Sequence, residues 1–170
     1  MLLSFTALAV ILAFMLGELV LSRRNERHLA ARGAVKPPDP VYGTMRWAYP
    51  GAFAAMAVEG AAVGAAADTL ALTGVLIIVA AKLLKFWAIA TLGVRWTYRV
   101  VVIPGAPLVS SGPYRWMRHP NYVGVLGELL GMAVLMAARL TGPVSLLFFS
   151  WLLRQRIVAE ERALGVRGIY

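Results

Sequence analysis

A chain of 170 residues suits one domain, but 60% of its residues are hydrophobic, too many for an ordinary soluble protein, and they come in long runs. With no cysteine, disulfides, thiolate nucleophiles and cysteine-ligated zinc are excluded, and with only His28 and His119 a multi-histidine metal site is not expected. The formal net charge of +9 would suit nucleic acid, yet the basic residues are dispersed over loops between apolar runs, where the cytoplasmic excess of Lys and Arg in membrane proteins accounts for them.

In chain order, residues 2–21, LLSFTALAVILAFMLGELVL, carry one charge, Glu18. About 20 apolar residues cross a bilayer as a helix. A cleaved signal peptide would need a positive start and a small-residue cleavage site after a shorter core. The start here is MLLS and arginines follow, so a retained transmembrane helix is expected. A polar, proline-containing connector, SRRNERHLAARGAVKPPDPVYGTMR, leads to further apolar segments at 48–67, 70–92, 122–138 and 142–154. The expectation is an all-α integral membrane protein of about five transmembrane helices. Only Asp68 and Thr69 separate the second and third segments, which predicts a tight helical hairpin. Residues 139–143 predict another tight turn, with Pro143 in the first turn of the last helix.

Positive charge orients these segments. Arg23, Arg24, Arg27, Arg32, Lys36 and Arg46 lie in the first connector, Arg95, Arg99, Arg115 and Arg118 between helices three and four, and Arg154, Arg156, Arg162 and Arg167 in the tail. The two tight turns carry Arg139 alone. Five crossings with the N-terminus outside and the C-terminus cytoplasmic put all three basic regions on the cytoplasmic face. Charges within spans are costly and are functional candidates. Lys82 and Lys85, near a helix end, are expected to snorkel. Glu59 and Glu128 would face a cavity, pair with a lysine or be protonated. Gly60 with Gly64, and Gly127 with Gly131, have the small-xxx-small spacing that brings helices close.

Polar chemistry concentrates in GPYRWMRHPNYVG, residues 112–124, after an irregular loop with extended parts, LGVRWTYRVVVIPGAPLVSS. The residue before a proline avoids the α region, so His119 ends the loop and Pro120 opens helix four. A helix N-terminus there suits an anionic ligand. The tail, RQRIVAEER from 154 to 162, continues helix five beyond the apolar run and puts Arg156 and Glu160 on one face. Taken separately, these features fit an aromatic belt and a solvated interfacial helix. Together they form two clusters on one face beside the last helical hairpin.

GPYRWMRHPNYVG, followed about thirty residues later by RIVAEERAL and preceded by LGVRWTYRVVVIPGAPLV, resembles the isoprenylcysteine carboxyl methyltransferase family of integral membrane enzymes, over roughly residues 83–167. The resemblance implies S-adenosylmethionine as cofactor and a cytoplasmic cap made of residues 93–121 and 155–170. It implies that Pro107, Leu108 and Val109 line the cofactor, that Tyr114, His119, Pro120, Asn121 and Tyr122 complete its wall, that Glu160 holds a polar part of it, and that Arg156 faces the methyl acceptor. Ala106 departs from the pattern, since many members have a polar residue there. The acceptor implied is lipophilic, a carboxylate such as isoprenylcysteine or a phenolic lipid hydroxyl, and the compact, alanine-rich multi-pass chain suits a bacterial inner membrane. Two other readings compete. One is a nicotinamide-dependent sterol-type reductase, whose family is usually longer. The other is a noncatalytic adaptor whose basic loops bind anionic lipid heads.

Overall fold

The computed structural model describes residues 1–165; Arg167 and the end of the 155–170 segment lie outside them. Among the described residues the chain forms five α-helices: α1 (Leu2–Ala30), α2 (Tyr42–Ala62), α3 (Thr69–Leu92), α4 (Pro120–Leu135) and α5 (Thr141–Ala163). Two 3-10 turns, Gly93–Arg95 and Gly112–Arg115, punctuate the long α3–α4 connection. There is no β-strand among the described residues, only an antiparallel bridge joining Val35 to Val102. Among the described residues two helical stretches, Leu2–Ala30 and Thr69–Arg95, are long and apolar enough to cross a bilayer. Their outer faces carry bare aliphatic side chains such as Leu16, Leu76 and Leu83.

The helix limits follow local chemistry that hydropathy does not register. α1 runs beyond residue 21 to Ala30 because SRRNERHLA holds neither proline nor glycine, and the first break comes at Gly33, where φ is +74°. α2 begins at Tyr42, not 48, because the Asp39 carboxylate accepts the Tyr42 N–H at 3.1 Å. Pro50 is accommodated inside this helix. Asp68 caps α3 by accepting from the Ala71 N–H at 2.8 Å. Pro120 and Pro143 sit in the first turns of α4 and α5.

The closest packing is between α3 and α4, and glycine makes it possible. A Cβ on Gly74 would lie 2.4 Å from the Leu135 nitrogen, and one on Gly131 would lie 2.6 Å from Ile78 Cγ1. The tight hairpin expected of the second and third segments does not form a packed pair. α4 is the principal partner of α3, and Gly60 of α2 meets Met136 at the far end of α4. A Cβ on Gly64 would meet no atom of the described residues; this glycine turns the chain after α2 with φ +70°. Inside the bundle, Phe53 and Met56 of α2 share a core with Leu129 and Met132 of α4 and with Phe149 and Leu152 of α5.

Lys82 and Lys85 do not snorkel. Both are buried, and each contacts the same two carboxylates. Lys82 Nζ lies 3.0 Å from Glu18 and 3.1 Å from Glu128, and Lys85 Nζ lies 2.7 Å and 3.2 Å from the same pair. The result is an alternating ring of two cations and two anions contributed by α1, α3 and α4. The Tyr49 hydroxyl of α2 donates to Glu128 at 2.9 Å, and the Tyr98 hydroxyl donates to Glu18 at 3.0 Å. The lysines stay inside because a charge in an apolar interior is tolerated when a partner of opposite sign sits against it. Glu59 has another task. Its carboxylate accepts from the Leu140 and Thr141 N–H groups and from the Thr141 hydroxyl, at 2.9, 2.8 and 2.5 Å, so a residue of α2 caps α5.

Breaking the ring on one side should be far worse than removing a matched pair. Lys85→Met leaves a buried carboxylate uncompensated and should cost about 3–5 kcal/mol, whereas Lys85→Met with Glu128→Gln leaves a neutral Glu18–Lys82 pair and should recover most of it. Thermal unfolding in detergent of the two variants beside the parent checks this.

Candidate functional site

Four separate stretches meet at one end of the bundle: the α1–α2 connector, the segment after α3, the start of α4 and the end of α5. Arg156 stands at the centre. It continues the buried face of α5 formed by Phe149, Leu152 and Leu153, one turn beyond the point where the core gives way to polar groups. Its guanidinium is buried and used on every nitrogen. Nη1 donates to Asp39 at 2.7 Å, Nε donates to the Tyr122 hydroxyl at 3.1 Å, and Nη2 donates to the Tyr98 carbonyl. The Tyr42 ring lies 5.9 Å away in cation–π range.

Tyr122, in the first turn of α4, donates in turn to Glu160 at 2.5 Å. Arg156 and Glu160 therefore communicate through a phenol that accepts from one and donates to the other. His119 is the N-cap residue of α4 and stacks on Tyr122, with ring centroids 5.4 Å apart and planes 17° from parallel. Its Nε2 lies 3.4 Å from Glu161 and its Nδ1 3.9 Å from Glu160, so one imidazole faces both carboxylates. Arg118 adds a longer contact to Glu161 at 3.6 Å. Tyr114, in the 3-10 turn, is partly buried, and burial together with the charge of Glu160 pushes its phenol well above the usual tyrosine range. Tyr114 thus stays protonated at neutral pH, within the electrostatic reach of Glu160.

The structure gathers Tyr114, His119, Tyr122, Arg156 and Glu160 at one place. Pro120 is buried directly behind His119, and Asn121 Oδ1 accepts from Trp96 Nε1 at 3.3 Å. Pro107, Leu108 and Val109 are less closely tied. The Pro107 carbonyl accepts from Arg95 at 2.6 Å, Leu108 is exposed, and among the described residues no hydrogen bond or ion pair joins the three to the Tyr122–Glu160 group. An open groove of about 840 Å³ lies elsewhere, between Pro37–Pro40 and the outer face of α5 carrying Trp151, Arg154 and Arg162, and contains none of the expected site residues. Among the described residues no group of three His, Cys, Asp or Glu side chains could hold a metal ion.

Sequence reasoning missed Asp39, Glu161, Trp96 and Tyr98. Asp39 had a faint signal as the one acid in KPPDP, a stretch whose prolines hold it rigid. Tyr98 had none, since it acts at Arg156 through its carbonyl.

The family model for the isoprenylcysteine carboxyl methyltransferase (ICMT) family matches residues 73–166, the stretch that supplies most of α3, all of α4 and α5, and all of the site except Asp39 and Tyr42. The chain belongs to this family. Membership points to membrane methyltransferase activity in general terms. Its relatives include "Uncharacterized protein YpbQ" of Bacillus subtilis (strain 168), 29% identical over 92% of this chain and 94% of that one. Another is an "Uncharacterized protein" of Haemophilus influenzae, 27% identical over 92% of each chain. No solved structure gives a significant match.

Asp39 neutralises a buried guanidinium, so Asp39→Ala should cost about 3–5 kcal/mol. Asp68→Ala, which removes only the α3 cap, should cost about 1 kcal/mol. Unfolding of both in detergent gives the comparison.

Proposed function

We propose that the chain transfers a methyl group from S-adenosylmethionine to a lipophilic acceptor at the cytoplasmic face of the membrane. The observation that carries this reading is the meeting of His119, Tyr122, Glu160 and Arg156 at one end of an apolar helical bundle. The chemistry of this set fits the cofactor. Glu160, in hydrogen-bond contact with the Tyr122 phenol, offers acceptors for an amine or ribose hydroxyl. The stacked His119–Tyr122 pair and Tyr114 offer flat walls for adenine. The positive end of α4 at His119 suits a carboxylate, with the Tyr122 and Val123 N–H groups already bonded to the His119 carbonyl. Pro107, Leu108, Val109, Pro120 and Asn121 complete the wall in this reading.

The cofactor supplies a methyl group on a sulfonium, already a strong donor. The protein's part is to hold donor and acceptor in line and keep water out. Arg156 faces the acceptor and steadies its negative charge before transfer. A carboxylate acceptor, such as that of an isoprenylcysteine, needs no base. A phenolic lipid would lose its proton to His119 or Glu160. The apolar bundle lets such an acceptor stay in the lipid while its polar end meets the site. Five crossings, with the N-terminus outside in a bacterial inner membrane, put this end of the bundle on the side where the soluble cofactor is made.

Calorimetry of the detergent-purified protein should show S-adenosylmethionine binding, weakened about tenfold or more by Glu160→Gln through the loss of a charge-assisted hydrogen bond. Absence of binding in the parent would end this reading. Incubating membrane extracts with the protein and isotopically labelled donor, then finding the labelled lipid by mass spectrometry, names the acceptor. The cysteine-free chain also permits a topology test: a single cysteine at Arg139 should react with an impermeant maleimide on intact cells, and one at Arg24 should not.

A further inference from the structure

We infer that the buried polar stripe of α1, formed by Glu18, Ser22 and Asn25, positions the site by clamping residues 96–98, which hold Arg156 on one side and Asn121 on the other; the inference rests on the proposed cofactor reading. α1 lies wholly outside the stretch that the family model matches. Glu18, Ser22 and Asn25 are nonetheless buried, and their spacing of four and three residues puts them on one face.

Each of the three reaches the same short segment. Asn25 Nδ2 donates to the Trp96 carbonyl at 2.7 Å and to the Gly93 carbonyl at 3.2 Å. Ser22 Oγ accepts from the Tyr98 N–H at 2.8 Å. Glu18 accepts from the Tyr98 hydroxyl at 3.0 Å. Residues 96–98 have no helix or strand to satisfy their backbone, so α1 side chains stand in for the missing partners. Trp96 is buried and Tyr98 packs on it at 5.3 Å, which leaves the segment little room to shift.

The same residues turn their remaining polar groups toward the site. The Trp96 indole N–H donates to Asn121 Oδ1, beside Tyr122, and the Tyr98 carbonyl receives Arg156 Nη2. If the clamp served only stability, these two outward bonds would have no part in it. Because Glu18 is also a member of the buried charge ring, ring, clamp and site form one connected network. Asn25, Ser22 and Glu18 are positioning residues in this sense, since they act through Trp96 and Tyr98.

A double-mutant cycle tests the relay. Asn25→Ala removes the clamp, and Trp96→Phe keeps the ring but removes the donor to Asn121. The probe is S-adenosylhomocysteine, titrated by calorimetry well below the melting temperature of each variant. Each single change should weaken binding about fivefold, the scale of one hydrogen bond, and the double variant should be no weaker than either alone. Ser4→Ala is the control: this hydroxyl is buried on α1 without a hydrogen-bond partner among the described residues, and its loss should leave affinity unchanged. Unchanged affinity in both single variants, or losses that multiply in the double, overturns the inference. Hydrogen exchange supplies a readout that needs no ligand. Asn25→Ala should speed exchange at residues 96–99 and 121–123, and Ser4→Ala should not. If the parent protein binds no cofactor, the functional reading falls, and exchange alone decides the clamp: unchanged rates at 121–123 sink it.

Discussion

Two carboxylates and two ammonium groups packed together in an apolar interior impose the tightest condition on this molecule. Each lysine of the ring touches both glutamates, so no charge is left over and none can be moved without exposing another. Burying such a set costs solvation that the pairing only offsets. What it secures is arrangement. Among helices surrounded by lipid, apolar side chains gain little by choosing one neighbour over another, and polar contacts discriminate where oily ones do not. α1 leans on α2 and on the turn after α3, while its link to α3 itself runs through long side chains, the ring and a Phe14–Phe86 contact at 5.9 Å. With Tyr49 donating from α2, four of the five helices answer to one electrostatic centre.

From that centre the polar network runs outward to the site without a break, and this shapes what a ligand must do. The groups around Arg156 already satisfy one another: carboxylate, phenol and carbonyl each hold a guanidinium nitrogen, and the same phenol is bonded to Glu160. Binding there is an exchange of hydrogen bonds rather than the filling of unmet ones. Net gain then depends on how well the incoming groups reproduce the bonds that they displace.

Much of this was legible in the sequence, and the illegible part has several physical causes. Apolar runs located all five helices, and the proline rules placed His119 at the head of α4 and Pro143 in the first turn of α5. The two motif clusters pointed to side chains that do come together. Helix ends were misjudged where local polar chemistry sets them, as the Asp39 carboxylate three residues upstream does at Tyr42. The lysines were misjudged because their position near a helix end suggests escape to the interface, while the carboxylates that hold Lys82 lie 64 and 46 residues away in the chain. Tyr98 was invisible for a plainer reason: a backbone carbonyl carries no letter of its own. The Asp68–Thr69 turn predicted that α2 and α3 pack on each other, but close approach at Gly74 and Gly131 gives α3 to α4 instead.

The two acids that bracket α5 have a joint effect on its freedom. Glu59 grips its first turn and Asp39 grips Arg156 near its last, and both belong to the stretch leading into and through α2. A helix tethered at its first turn and again about four turns along, to α2 and to the connector that enters it, resists creeping or swivelling, since one residue of slippage is about 1.5 Å and one residue of rotation about 100°. Either would tear both tethers at once. Whatever opens to admit a guest at this end of the bundle, α2 and α5 must travel as a unit.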